Sequence, residues 1–132
     1  MGLLDIFYGE MNRVRDKANS DEEKKRVVKE ALKKSLKKFE FVFNDWMLSE
    51  ALEAKKINPQ LGIFSEEFMD LAVEVDDILE NSEITENLRE ISKALMVVSR
   101  KAVTMGGYFD NPIPTEVGQS LARIEKIKSK LE

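Results

Sequence analysis

There is no cysteine and no histidine among the 132 residues. That removes disulfides, thiol nucleophiles, imidazole bases, Ser-His-Asp triads and zinc sites built from Cys or His. Ferritin-like di-iron sites, which need Glu-x-x-His pairs, go with them. Proline occurs only three times and glycine six, so few points force a helix to stop. No run of about 18 apolar residues occurs, and no membrane-spanning helix is expected. The stretch Met1 to Met11 has no Lys or Arg ahead of its apolar residues and no small-residue cleavage pattern, so no secretory leader is expected. Ile6 occupies the position that a myristoylation signal gives to Ser or Thr. The expectation is a cytoplasmic protein. No G-x-x-x-x-G-K-[ST] or G-x-G-x-x-G occurs, Gly106-Gly107 being a lone pair, and no cofactor is expected.

The composition is 42% hydrophobic and 35% charged, enough apolar content for an ordered core and the length of one domain, 1–132. Lys outnumbers Arg and Glu outnumbers Asp, a bias shared with hyperthermophile proteins. Apolar residues recur at helical intervals. Leu4, Phe7, Met11, Val14 and Ala18 share one face of a first segment. Ser20 and Glu23 then form an S-x-x-E capping box with Asp21 and Glu22 in the first turn.

A second segment runs from Asp21 towards Lys56 with Val28, Leu32, Ser35, Phe39, Val42 and Trp46 as its stripe. Near Asn44-Asp45 the pattern changes phase: Phe41, Leu48 and Leu52 fall on the opposite side. No Pro or Gly lies between Gly9 and Pro59, so one long helix with a different partner at each end is expected rather than a break.

Ile57 to Phe64, with Asn58-Pro59 and Gly62, reads as a loop, and Ser65 as the N-cap of a third helix carrying Phe68, Leu71, Ala72, Val75, Ile78 and Leu79. A fourth helix starting at Ser82 or Thr85 holds Ile84, Leu88, Ile91, Leu95, Val98, Ala102 and Met105 at four-three spacing. Gly106-Gly107 ends it, Gly106 to Pro114 is a loop, and Thr115 opens a last helix with Val117, Leu121, Ile124, Ile127 and Leu131 inward. Met47, Met69, Met96 and Met105 read as core filling. No segment alternates with period two, so no sheet is expected. The fold class is all-α: an antiparallel, left-handed bundle of about five helices with one long central helix.

Charge is segregated. Lys24 to Lys38 holds eight bases against Glu30, and Glu66 to Glu90 holds ten acids against Arg89. Arg26, Lys29, Lys33 and Lys37 project opposite the apolar stripe of the second helix, and Glu67, Asp70, Glu74 and Asp77 opposite that of the third. Both read as solvated faces. The basic face is also the candidate for anion binding, to nucleic acid or an anionic surface, as shape-blind backbone recognition.

Two tetrapeptides carry acids at metal-ligand spacing, Glu50-x-x-Glu53 and Glu74-x-x-Asp77. The pattern E-x-x-E, spacer, E-x-x-D resembles that of all-α MazG-type nucleotide pyrophosphohydrolases and covers these two tetrapeptides alone. The resemblance implies Mg²⁺-dependent hydrolysis of nucleoside polyphosphates with Glu50, Glu53, Glu74 and Asp77 as ligands. The chain departs from the family in its Pro59–Gly62 spacer and in lacking recognisable phosphate-holding bases, and Glu67-x-x-Asp70 fits the second element equally well.

The leading expectation comes from surplus apolar surface. Phe41, Leu48 and Leu52 lie off the stripe of the second helix, Leu3 and Ile6 off that of the first, and Tyr108 and Phe109 in a Gly- and Pro-bounded loop. The expected function is a non-catalytic protein-interaction module, self-associating as a homodimer, with Phe41, Leu48, Leu52, Tyr108 and Phe109 as its surface. The first segment could instead lay Leu3, Leu4, Phe7, Tyr8 and Met11 on a membrane surface, but docking into the bundle is favoured.

Overall fold

Helical spacing, few breakers and acids placed in first turns shape most of this chain into packed helices. A computed structural model describes residues 5–16, 21–48, 52–105, 108–109 and 115–131. They form an all-α helical bundle of α1 (Asp5–Asp16), α2 (Asp21–Leu48), α3 (Ala54–Leu79), α4 (Ser82–Met105) and α5 (Thr115–Lys130). Two short strands, β1 (Leu52–Glu53) and β2 (Tyr108–Phe109), complete the described elements. No helix among the described residues is long and apolar enough to cross a membrane.

Helix α1 docks through Phe7 and Met11, both buried, so these two of the residues that would enter a membrane surface are spent on the core. The side chains of Leu3, Leu4, Ile6, Val14 and Ala18 and the cap Ser20 lie outside the described residues.

Helix α2 runs unbroken through Asn44-Asp45 for 28 residues, about 42 Å at 1.5 Å per residue. It is described as far as Leu48, and the strand at Leu52–Glu53 shows that it does not continue to Lys56. Asp21, Glu22 and Glu23 sit in its first turn, where the helix dipole favours negative charge. Its stripe is buried except at Val42, which is half-buried, and Phe39, Phe43 and Trp46 meet Phe64 and Phe68 of α3 in an aromatic cluster. Phe39 and Phe68 approach to 4.4 Å between ring centres, and Phe39 meets Phe64 edge-on at 5.2 Å.

Helix α3 departs most from expectation. The segment Ile57 to Phe64 is helical, and Pro59 lies inside α3. A proline there removes one backbone donor, which would otherwise reach the carbonyl four residues back. Core packing offsets that loss: Leu61 and Phe64 are buried and extend the stripe of Phe68, Leu71 and Val75 at three-four spacing. Ser65 is therefore no cap. It is buried in mid-helix, where its hydroxyl donates to the carbonyl of Ser92 at 2.9 Å.

Helix α3 ends on Glu80, whose φ of 50° is left-handed and whose N–H returns to the carbonyl of Asp76 at 3.1 Å. Asn81 then caps α4, its Oδ1 accepting from the N–H groups of Glu83 and Ile84 at 3.1 and 3.2 Å. The cross-links Asp76–Thr85 and Ser65–Ser92 show α4 returning along α3. Ile84, Leu88, Ile91, Leu95 and Val98 are buried, as are Val117, Ile124, Ile127 and Leu131 on the α5 side. Met69 and Met96 are exposed at the surface instead of filling the core.

The other correction is the small sheet. Leu52 pairs with Phe109 and Glu53 with Tyr108 in an antiparallel ladder. Two residues are too few to show alternation in sequence, yet the pairing ties the α2–α3 connection to the α4–α5 connection.

Candidate functional site

The outward face of α2 is the clearest candidate. Phe41 is 77% exposed and Leu48 84% exposed. Seven residues apart on one helix, they share a face turned away from Phe39, Phe43 and Trp46. The second partner expected for this end of α2 is not supplied by another described element. Of the other proposed surface residues, Leu52, Tyr108 and Phe109 are placed by backbone in the two-stranded ladder, and their side chains lie outside the described residues.

Helix α3 has a second exposed apolar set that the periodicity did not mark as a surface. Ile63 is 53% exposed and Val73 60% exposed, with Met69 also at the surface, as are Met96 and Val97 on α4. The signal was present in the sequence: Ile63 and Val73 both lie off the stripe of Phe64, Phe68 and Val75. Reading Ile57 to Phe64 as a loop hides Ile63.

On the basic face, Arg26 and Lys37 are exposed, whereas Lys29 and Lys33 are half-buried. Lys33 pairs with Glu30 at 3.8 Å. A shallow cleft of about 240 Å³ is lined by Glu22, Lys25, Arg26, Lys29, Glu30 and Leu131. Acids interleave with the bases there, which dilutes the local field that a polyanion would meet.

The carboxylate pairs are spread along the molecule. Glu50 lies outside the described residues, and of Glu53 only the backbone in β1 is described. Glu74 and Asp77 sit near the far end of the continuous helix α3. The 21 residues from Glu53 to Glu74 correspond to about 30 Å at 1.5 Å per residue, far beyond the reach of carboxylates sharing one ion. Among the described residues no group of three or more acids is arranged to hold a metal.

Acids do gather where α1 meets α3. Glu67 is half-buried, its Oε2 is shut off from solvent, and that atom has no hydrogen-bond partner among the described residues. Burial, with help from the charges of Asp5 and Asp70, raises its pKa above the usual carboxylate value. Tyr8 lies against the same patch, and its phenol is pushed up by burial and then by Asp70, Glu67 and Glu74. The fold tolerates this repulsion because Phe7, next to Tyr8, brings α1 into the core.

Compared with family models, curated proteins and solved structures, the chain matches none of them.

Proposed function

We propose that this protein is a non-catalytic helical interaction module that self-associates through the outward face of α2. The observation that carries the reading is the pair Phe41 and Leu48, 77% and 84% exposed on one helix face. Single exposed apolar residues are ordinary on protein surfaces. Two large ones in line, on a helix whose opposite face is fully packed, present a ridge that water solvates poorly. Burying it against another chain removes that contact with water.

Sedimentation equilibrium tests the reading. Apparent mass should rise with concentration for the wild type. Phe41→Glu should hold the helical circular dichroism of the wild type and sediment as a monomer. A wild type that stays monomeric at millimolar concentration sinks the proposal, as does a folded Phe41→Glu protein that associates as before.

A further inference from the structure

We infer that the surface covering Phe41 and Leu48 is the acidic strip of α3 on a second copy of the chain. The inference rests on the self-association reading and names the two faces that meet. The α2 strip is Lys34, Lys37, Phe41, Asn44 and Leu48, all exposed. The α3 strip is Ile63, Glu66, Asp70, Val73 and Asp77, all exposed. Both follow the same three-four-three-four spacing, so each forms a straight stripe along its helix. Both span the same length, about 21 Å at 1.5 Å per residue.

Their chemistry is better matched in one direction than in the other. Laid antiparallel, end to end, Lys34 meets Asp77 and Leu48 meets Ile63. Asn44 then faces Glu66, Phe41 lies level with Asp70 and within a turn of Val73, and Lys37 lies beside Val73 and within a turn of Asp77. Laid parallel, Lys34 would face Ile63 and Leu48 would face Asp77, which mismatches both ends and leaves Lys37 beside Glu66 as the one matched pair. The charge segregation of the sequence thus acquires a purpose: a basic strip on one helix and an acidic one on another cannot pair with their own kind. One helix pair of this length buries less than the roughly 1,200 Å² of a standard stable interface, so the contact is concentration-dependent and weakened by salt.

Charge reversal tests it in sedimentation experiments at about 0.1 M salt. Lys34→Glu/Lys37→Glu gives a chain with two acidic strips, and Asp70→Lys/Asp77→Lys one whose α3 strip is basic at the end that Lys34 and Lys37 approach. Each alone should associate about tenfold or more weakly than wild type, and an equimolar mixture should recover wild-type association. The second variant brings the formal net charge from −4 to zero, so a general charge effect would strengthen its association and docking weakens it. Ile63→Glu should weaken association as Phe41→Glu does. If the mixture stays as weak as its components, or if Asp70→Lys/Asp77→Lys associates like wild type while Phe41→Glu does not, α3 is not the partner face and self-association through α2 survives. A monomeric wild type overturns both. Circular dichroism on every variant separates lost docking from lost fold.

Discussion

Ser65 and Ser92 each donate a side-chain hydroxyl to the other's main-chain carbonyl, at 2.9 and 2.7 Å, in the buried seam between α3 and α4. Their Oγ atoms lie 3.2 Å apart. A serine reaches only one carbon beyond its backbone, so this exchange requires the two helices to approach closely. The seam fixes the register that holds the aromatic face of α3 against α2. Ser65→Ala or Ser92→Ala removes one bond and strands no donor, at an expected cost of about 1 kcal/mol. Ser92→Val puts bulk where the helices touch and should cost about 1–3 kcal/mol. Urea unfolding should rank wild type above the alanine variants and those above valine; a valine variant as stable as wild type would show that the seam has room to spare.

The α3–α4 turn offers a gain as well as a loss. Glu80 adopts φ 50°, a conformation that costs an L residue with a side chain but not glycine. Glu80→Gly should stabilise by about 0.5–1 kcal/mol. Asn81→Ala strips the cap from the N–H groups of Glu83 and Ile84 and should destabilise by about 1 kcal/mol. Opposite shifts of thermal midpoint in two adjacent residues are a specific signature of this turn. Equal shifts in the same direction would mean that the turn is not closed in this way.

Lys128 joins the last turn of α5 to α2 by a 2.8 Å contact with Glu40, with Glu125 at 3.5 Å. The hydrogen bond to Glu40 leads the effects that raise the lysine's pKa above its ordinary value. The folded state therefore holds this proton more tightly than the unfolded chain. The resulting stabilisation is complete below the ordinary lysine value, about 10.4, and disappears as pH rises through the folded value. Lys128→Met should cost up to about 1 kcal/mol near neutral pH, the pair being partly solvated. The difference from wild type should close in strong alkali, as read by urea midpoints across the pH range.

Most of the core could be read from spacing because amphipathic periodicity is a direct image of burial. Ile84, Leu88, Ile91, Leu95 and Val98 needed no knowledge of their neighbours to be placed inside. The first turns of α3 could not be read that way. Pro59 is a local signal against helix, whereas what decides the matter is tertiary: Leu61 is buried in the core, and Phe64 has aromatic partners on α2 that a linear reading does not see. The same blindness misplaced Ser65, whose chemistry suits a cap equally well as a buried hydroxyl with a partner 27 residues away. For the interaction surface, Phe41, Leu48 and Val73 stand out of phase with their stripes, whereas Ile63 has no stripe to depart from when Ile57 to Phe64 reads as a loop.

Glu67 gives the sharpest dependence on pH. Its pKa is raised from the usual 4.5 by burial, then by Asp5 and Asp70. A carboxyl with a raised folded value binds its proton more tightly in the native state, so its sign is opposite to that of a salt-bridged acid. Stability is highest below the ordinary value, falls as pH rises through the ordinary and then the folded value, and levels off above. Glu67→Gln keeps the shape and removes the charge that α1 and α3 must hold half-buried. It should raise stability at pH about 7 by about 0.5 kcal/mol, a modest figure because the group is partly solvated. Below pH about 4 wild-type Glu67 is itself neutral, and the advantage of the variant should vanish. Paired urea titrations at the two pH values read this directly. An advantage of equal size at both would mean that packing rather than charge sets the effect, and a loss at neutral pH would mean that the Glu67 carboxylate stabilises the α1–α3 contact.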